Sequence, residues 1–434
     1  MRATSPGGVA PDPSRWRFGR LYAAPHRIAF AAAATMLGAS GLWWAFAMIA
    51  RSDGAALRWA LPPSTAHGLL MTFGFMPLFF AGFLFTAGPR WLGVAPVDAR
   101  DLAAPLLAQL AGWAVFLFAV HGPDAAFGAV VGSLGLGAVA FGWSSVWWRY
   151  AALVRASRVV DRTHPRLIAV AGGVGVLALW SAAVCIAVGD FSGVRAATVG
   201  ALWLFVGIVF ATVTHRMIPF FGAAAWPALD RRSPLWLLWS LVALFGAEGT
   251  LAMAEALLGA LPSPLQIAQA AFELPAGIAL LALALRWARV QNVRLRLLAM
   301  LHLGFVWLGV AFVLAGVSHA LVAASGNELS LGLAPLHAYT MGFLASTMIA
   351  TTTRVSSGHG GRAIAADDFV WRLFWVLQFA VLARVLAGVC AALGDTAAQP
   401  LVVAAAIAWG AVCVAWAIRY GRWYGTARAD GRPG

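Results

Sequence analysis

Residues 298–322 read LAMLHLGFVWLGVAFVLAGVSHALV, twenty-five residues without an aspartate, glutamate, lysine or arginine. A helix that crosses the hydrocarbon of a bilayer needs about 20 mostly apolar residues. Hydrocarbon offers no partner for a peptide group, so such a run satisfies its backbone internally, as a helix. Eleven more segments of this kind flank it, at approximately 28–50, 66–88, 102–121, 125–148, 167–188, 194–213, 234–259, 265–287, 331–353, 369–393 and 398–420. The reading is an all-α, polytopic membrane protein of about 12 transmembrane helices.

Composition agrees. Hydrophobic residues make up 62% and charged residues 11%, where soluble chains carry about 25% charge. Too little polar surface exists to face water all round. The domains follow: a polar tail over 1–27, a single twelve-helix domain over 28–420, and a second polar tail over 421–434. The tails are expected to be disordered. The N-terminal tail lacks an apolar core and a cleavage site, so it is not read as a signal peptide. No nucleotide-binding, kinase or protease signature occurs, and no internal repeat stands out.

The formal net charge is +14, and all thirty basic residues are arginine. They form short clusters between apolar runs rather than one patch, which argues against nucleic acid as a partner. Twenty-six fall on the side shared by both termini. Three (Arg51, Arg58 and Arg195) fall on the other side, and Arg384 lies within a span. The positive-inside rule then places both termini in the cytoplasm. The opposite side carries Asp53, Asp124, Asp190, Glu328 and Asp395 instead.

Ionisable groups within a membrane are costly and are functional candidates. Glu248 and Glu255, seven apart on one helix face, and Glu273 either pair structurally or line a proton path. Arg384 should need a carboxylate partner. Cys185, Cys390 and Cys413 lie singly in apolar runs, where a free cysteine packs as a small hydrophobe. They supply no disulfide framework or metal set.

The histidines sort by depth. His67 and His337 each open an inward-running helix at the outer side, where His121 and His319 also lie. His26, His164, His215, His302 and His359 lie at the inner side. Imidazoles on facing helices at equal depth can hold a haem iron, and His67 and His337 meet that condition. Each could equally be an interfacial histidine bonded to a carbonyl. His215, His302 and His359 could converge on copper, which imidazole suits, or remain solvated loop residues.

Four stretches resemble one family. His67-Gly-Leu-Leu-Met-Thr-Phe-Gly-Phe75, continued by Ala81-Gly-Phe-Leu-Phe-Thr-Ala-Gly-Pro-Arg-Trp91, resembles a pattern H-x-H-E-M-x-F-G-F, then G-F-L-x-T-A-x-P-x-W. Arg216-Met-Ile-Pro-Phe-Phe221 is similar to R-x-I-P-F-F. Leu301-His-Leu-Gly-Phe-Val-Trp-Leu308 is similar to H-L-x-F-x-W-L. Leu336-His337-Ala338, with Thr353-Arg-Val-Ser-Ser-Gly-His-Gly-Gly-Arg362, resembles L-H-A and T-R-V-S-L-G-H-T-G-R. Together they resemble the NnrS family.

The resemblance implies a multi-pass protein of the bacterial cytoplasmic (inner) membrane. It implies haem b and copper as cofactors, and a role in denitrification or the response to nitric oxide and nitrosative stress. His67, His302, His337 and His359 fall on family histidines; Arg216, Arg354 and Arg362 fall on family arginines and are expected to anchor inner loops. Leu69 and Leu70 stand where the pattern has His and Glu, a departure that weighs against copper more than haem. Haem held by His67 and His337 would turn its propionates outward, because carboxylates are costly in hydrocarbon. Arg58 is the expected partner for them. The partners implied are the bilayer, haem and nitric oxide or a related small molecule. Two other functions fit the sequence: a proton-coupled transporter using Glu248, Glu255 and Glu273, and a haem-bearing oxidoreductase subunit. Neither turnover nor oligomeric state is legible.

Overall fold

The computed structural model describes residues 15–55, 57–225, 235–290 and 292–432, with backbone alone for 217–225 and 290. No strand occurs among them. Eleven helices are long and apolar enough to cross a membrane: α1 Pro25–Ser52, α2 Pro63–Leu92, α3 Ala99–Val120, α4 Ala125–Ala156, α5 Thr163–Val188, α6 Phe191–Arg216, α7 Leu235–Leu258, α8 Ser263–Arg289, α9 Arg296–Ser325, α11 Asp368–Ala392 and α12 Ala398–Tyr424. The twelfth helical run, α10, covers 334–359. It is long enough but too polar to join them, because its second half reads STMIATTTRVSSGH. The α6 helix continues past Arg216 to Ala225, so the connection expected from residue 214 begins later.

Local chemistry sets the helix ends. Asp124, Asp190 and Asp367 are N-caps whose carboxylates accept from the backbone N–H of Phe127, Gly193 and Val370. Such a cap satisfies a backbone donor that the first turn leaves open and is worth about 1 kcal/mol. Two of the acidic residues of the arginine-poor face thus have a structural task. Gly93, Gly189 and Gly326 end α2, α5 and α9 at positive φ, a conformation that costs glycine little.

The described parts of both tails are ordered, contrary to the expectation of disorder. Arg27, only 4% exposed, donates to the carbonyls of Tyr424 and Thr426. The Arg17 N–H donates to Gly425 and that of Ala429 to Gly360. A guanidinium with several directed donors closes the C-terminal carbonyls that α12 cannot satisfy itself.

Three helices form the centre. The share of the apolar window buried is 83% in α2 and 72% in α6, against 56% or less in the other nine. Aromatic rings join them to α10, with Phe80 to Phe210 at 5.5 Å and Phe210 to Phe343 at 6.4 Å. Each of the three contains a π segment: Leu70–Gly74, Ala201–Gly207 and Ala338–Ala345. The feature recurs every fourth helix, a regularity that the sequence does not display. π segments are rare and cluster at functional sites. They also loosen the helix, and a partner helps to close the gap: the Tyr339 hydroxyl donates to the Leu202 carbonyl at 3.0 Å, and its ring stacks on Trp203 at 3.8 Å.

Outer helices pack through glycine. A Cβ on Gly112 of α3 would lie 2.5 Å from the Gly135 carbonyl oxygen of α4, and one on Gly135 would lie 2.8 Å from that of Gly112. Close backbone approach of this kind is how helices associate in lipid. Gly112→Leu is expected to cost about 1–3 kcal/mol through overpacking, read as a lower Tm in detergent. Gly246→Leu, where a Cβ meets nothing within 4 Å, should leave Tm unchanged. Equal melting of the two variants would contradict this packing.

Candidate functional site

The π segments of α2 and α10 begin just after the two histidines singled out by depth. His67 is the fifth residue of α2, and His337 the fourth of the run that begins at Ala334. Both therefore sit about one turn below the arginine-poor face. The two side chains lie close enough for charge on one to act on the other, and the charge of Arg384 of α11 acts on both. A common site on three helices results.

Its hydrogen bonds are incomplete. His337 Nδ1 engages the Leu333 carbonyl at 2.9 Å, which fixes the ring and leaves Nε2 free. His67 stacks on Trp44 at 3.9 Å, and its buried Nδ1 has no hydrogen-bond partner. Arg384 has no carboxylate partner among the described residues, although one was expected from sequence. Buried polar atoms are normally paired, and an exception calls for an explanation. A cavity of about 400 Å³ is lined by Trp44 together with Met48, Arg51, Trp59 and Pro63 among others. Arg58 is exposed. Its carbonyl holds His121 Nδ1 at 2.9 Å while Trp43 donates to the other ring nitrogen, so His121 is an anchored structural residue.

The histidines of the arginine-rich face do not gather as three. His359 meets His26, with ring centroids 4.3 Å apart. His215 Nδ1 lies 3.0 Å from His164 Nε2. His302 belongs to neither pair, and its buried Nδ1 has no partner. Among the described residues no group of three or more His, Cys, Asp or Glu side chains could hold a metal ion. Sequence reasoning sorted these residues to one face but missed the pairing, because which side chains meet across helices is set by packing, whether the helices are remote, as for His26 and His359, or consecutive, as for His164 and His215.

Two of the three family arginines, Arg216 and Arg362, lie on aromatic faces at this end. The Arg216 guanidinium lies 4.6 Å above the Trp91 ring and that of Arg362 lies 4.1 Å above Trp423. Cation–π contacts of this kind anchor a loop without chemistry. The rest of the motif after Arg216, through Phe221, lies outside the described side chains.

A family model described as NnrS protein matches residues 20–428. The chain belongs to the NnrS family. The match covers nearly all of the chain, from the start of the first helix region to just past α12. No curated protein matches the chain. Within this NnrS chain, Arg384 and the three π segments are the features that the sequence reading did not attach to the site. Gly74 and Gly342 lie within their π segments and Gly200 just before that of α6, but among 46 glycines they do not mark these segments out.

Proposed function

We propose that this NnrS chain is a haem b protein of the bacterial inner membrane, acting in the response to nitric oxide. Family membership supports a nitric-oxide-related membrane protein. The observation that carries the haem reading is the pair His67 and His337, at equal depth on two central helices, each with an unengaged ring nitrogen. Neutral imidazole is a haem ligand, and a carbonyl bonded to its far nitrogen fixes the tautomer that binds. The residues therefore fit a haem. When bound, haem would supply an iron that can exchange an electron, and that could take a diatomic ligand if one of the two histidines is a pocket residue rather than a ligand.

The chain's own contribution is positional. Leu333 orients His337, Trp44 holds the His67 ring from one face, and Arg384 offers a positive charge where a propionate could be compensated. Arg384 is preferred to Arg58 as the basic partner, because its charge bears on both histidines while Arg58 is exposed. Copper finds less support, since His215, His302 and His359 separate. The arginine-rich face is taken as cytoplasmic on the arginine distribution. A reporter fused after Gly434 that is active only in the periplasm would contradict that orientation.

The function is tested in cells lacking the chain. Growth under a nitric oxide donor is expected to fall, to recover with the wild-type chain, and not to recover with a His67→Ala/His337→Ala chain present at equal level. Full recovery with that variant would remove the haem site from the function.

A further inference from the structure

A second polar assembly lies on α7, α8 and α9, and the proposed haem site does not use it. Glu255, three residues from the end of α7, accepts from Gln269 Nε2 at 2.9 Å. His319 of α9 places Nε2 3.3 Å from Glu255 Oε1 and Nδ1 2.7 Å from Glu273 Oε2. Glu273 of α8 in turn approaches Glu248 of α7. Glu248 Oε2 and Glu273 Oε1 are buried and meet no donor. Two carboxyl groups that meet can bond only if one carries a proton, so a shared proton would satisfy both.

The four groups are ordered by depth. Counted from the helix ends at the arginine-poor face, Glu255 lies about 5 Å in, His319 about 9 Å, and Glu273 and Glu248 about 15 Å. Side-chain exposure falls along the same line, from 32% at Glu255 to 18% at His319 and 0% at Glu273. A set of structural ion pairs has no reason to run from surface to midplane in unbroken contact. Other charged or titratable groups near it are few. Arg195 of α6 acts on Glu255 at the mouth. Tyr339 of α10 lies near Glu248, but its hydroxyl is committed to Leu202.

We infer that Glu255, His319, Glu273 and Glu248 form a proton-conducting path from the arginine-poor face to the middle of the bilayer. Glu255 takes up a proton and gives it to His319 Nε2. The imidazolium so formed turns to bring Nε2–H to Glu273, loses that proton to its carboxylate, and turns back with Nδ1–H retained, so the starting tautomer is kept. Glu273 passes the proton to Glu248, beside the π segments of α6 and α10. One proton moves and no electron does. The path does not depend on haem and would stand if the haem reading failed.

The test uses infrared spectroscopy on the full-length chain in proteoliposomes. The wild type should show the carbonyl stretch of a buried protonated carboxyl, shifted on transfer to D2O. Glu248→Gln should remove or halve that band. His319→Phe and Glu255→Gln should each slow its deuterium exchange at least about tenfold, because the relay loses a link. His319→Gln, which keeps the size and donors of the side chain, serves if His319→Phe does not fold, with the same slowing expected. Absence of the band in the wild type, or exchange as fast in the His319 and Glu255 variants as in the wild type, would overturn the path.

Discussion

His67→Ala and His337→Ala proteins, expressed and purified at the same level as the wild type, are each expected to retain at least about tenfold less haem. Groups that merely support a metal ligand are worth about 10–100-fold in affinity, so loss of a ligand should cost no less. The geometry makes the two losses similar. Both rings lie about one turn below the arginine-poor face, and each presents a nitrogen that nothing else engages. His302→Ala and His359→Ala should keep their haem, because His359 is paired with His26 and His302 belongs to neither pair. Full retention in both the His67 and His337 variants would reject the site. Loss confined to the His302 and His359 variants would move it to the arginine-rich face.

Arg384→Met is expected to act with opposite sign on the two forms of the protein. Arginine near the centre of a spanning helix costs about 2.5–3.5 kcal/mol, and Arg384 has no carboxylate among the described residues to offset it. Its removal should therefore raise the Tm of haem-free protein. The haem-bound form should lose a counter-charge for the propionates, so haem affinity should fall about tenfold or more, as removal of one partner of a close charge pair does. Arg384→Lys should fall between, since it keeps the charge and loses the planar fork. A destabilised haem-free Arg384→Met protein with unchanged haem affinity would show that Arg384 is a packing residue.

The membrane fold was legible because lipid imposes a simple requirement, about 20 apolar residues in each span, which 298–322 meets without a charge. The weakest span shows the limit of that rule. The run over 334–359 is half threonine-, serine- and arginine-bearing helix. In the sequence it reads as one more mostly apolar run, over 331–353, and the alternation of arginine clusters across the helices supports that count. The helix ends strayed most where arginines extend the helix beyond the apolar run, as at Arg149 and Arg155 of α4, the latter folded over Trp148 at 4.7 Å.

The site was half legible. Position along a spanning helix is depth, so His67 and His337 could be matched from sequence. What a side chain meets across the bundle is set by packing, and there the sequence was silent. It gave Arg384 a carboxylate that no described residue supplies, and left His26 and His164 out of the pairs they form. Glu248, Glu255 and Glu273 were found, but His319 was counted only by depth, and it is the residue that joins them. The π segments depend on how α2, α6 and α10 meet at the centre, and no local residue pattern specifies that.

The most direct test of the haem site is the reduced-minus-oxidised optical spectrum of the purified full-length chain, produced with added haem. A Soret band that shifts on reduction, with paired α and β bands, is the result this account predicts. A correctly folded preparation with no Soret band in either state would contradict it.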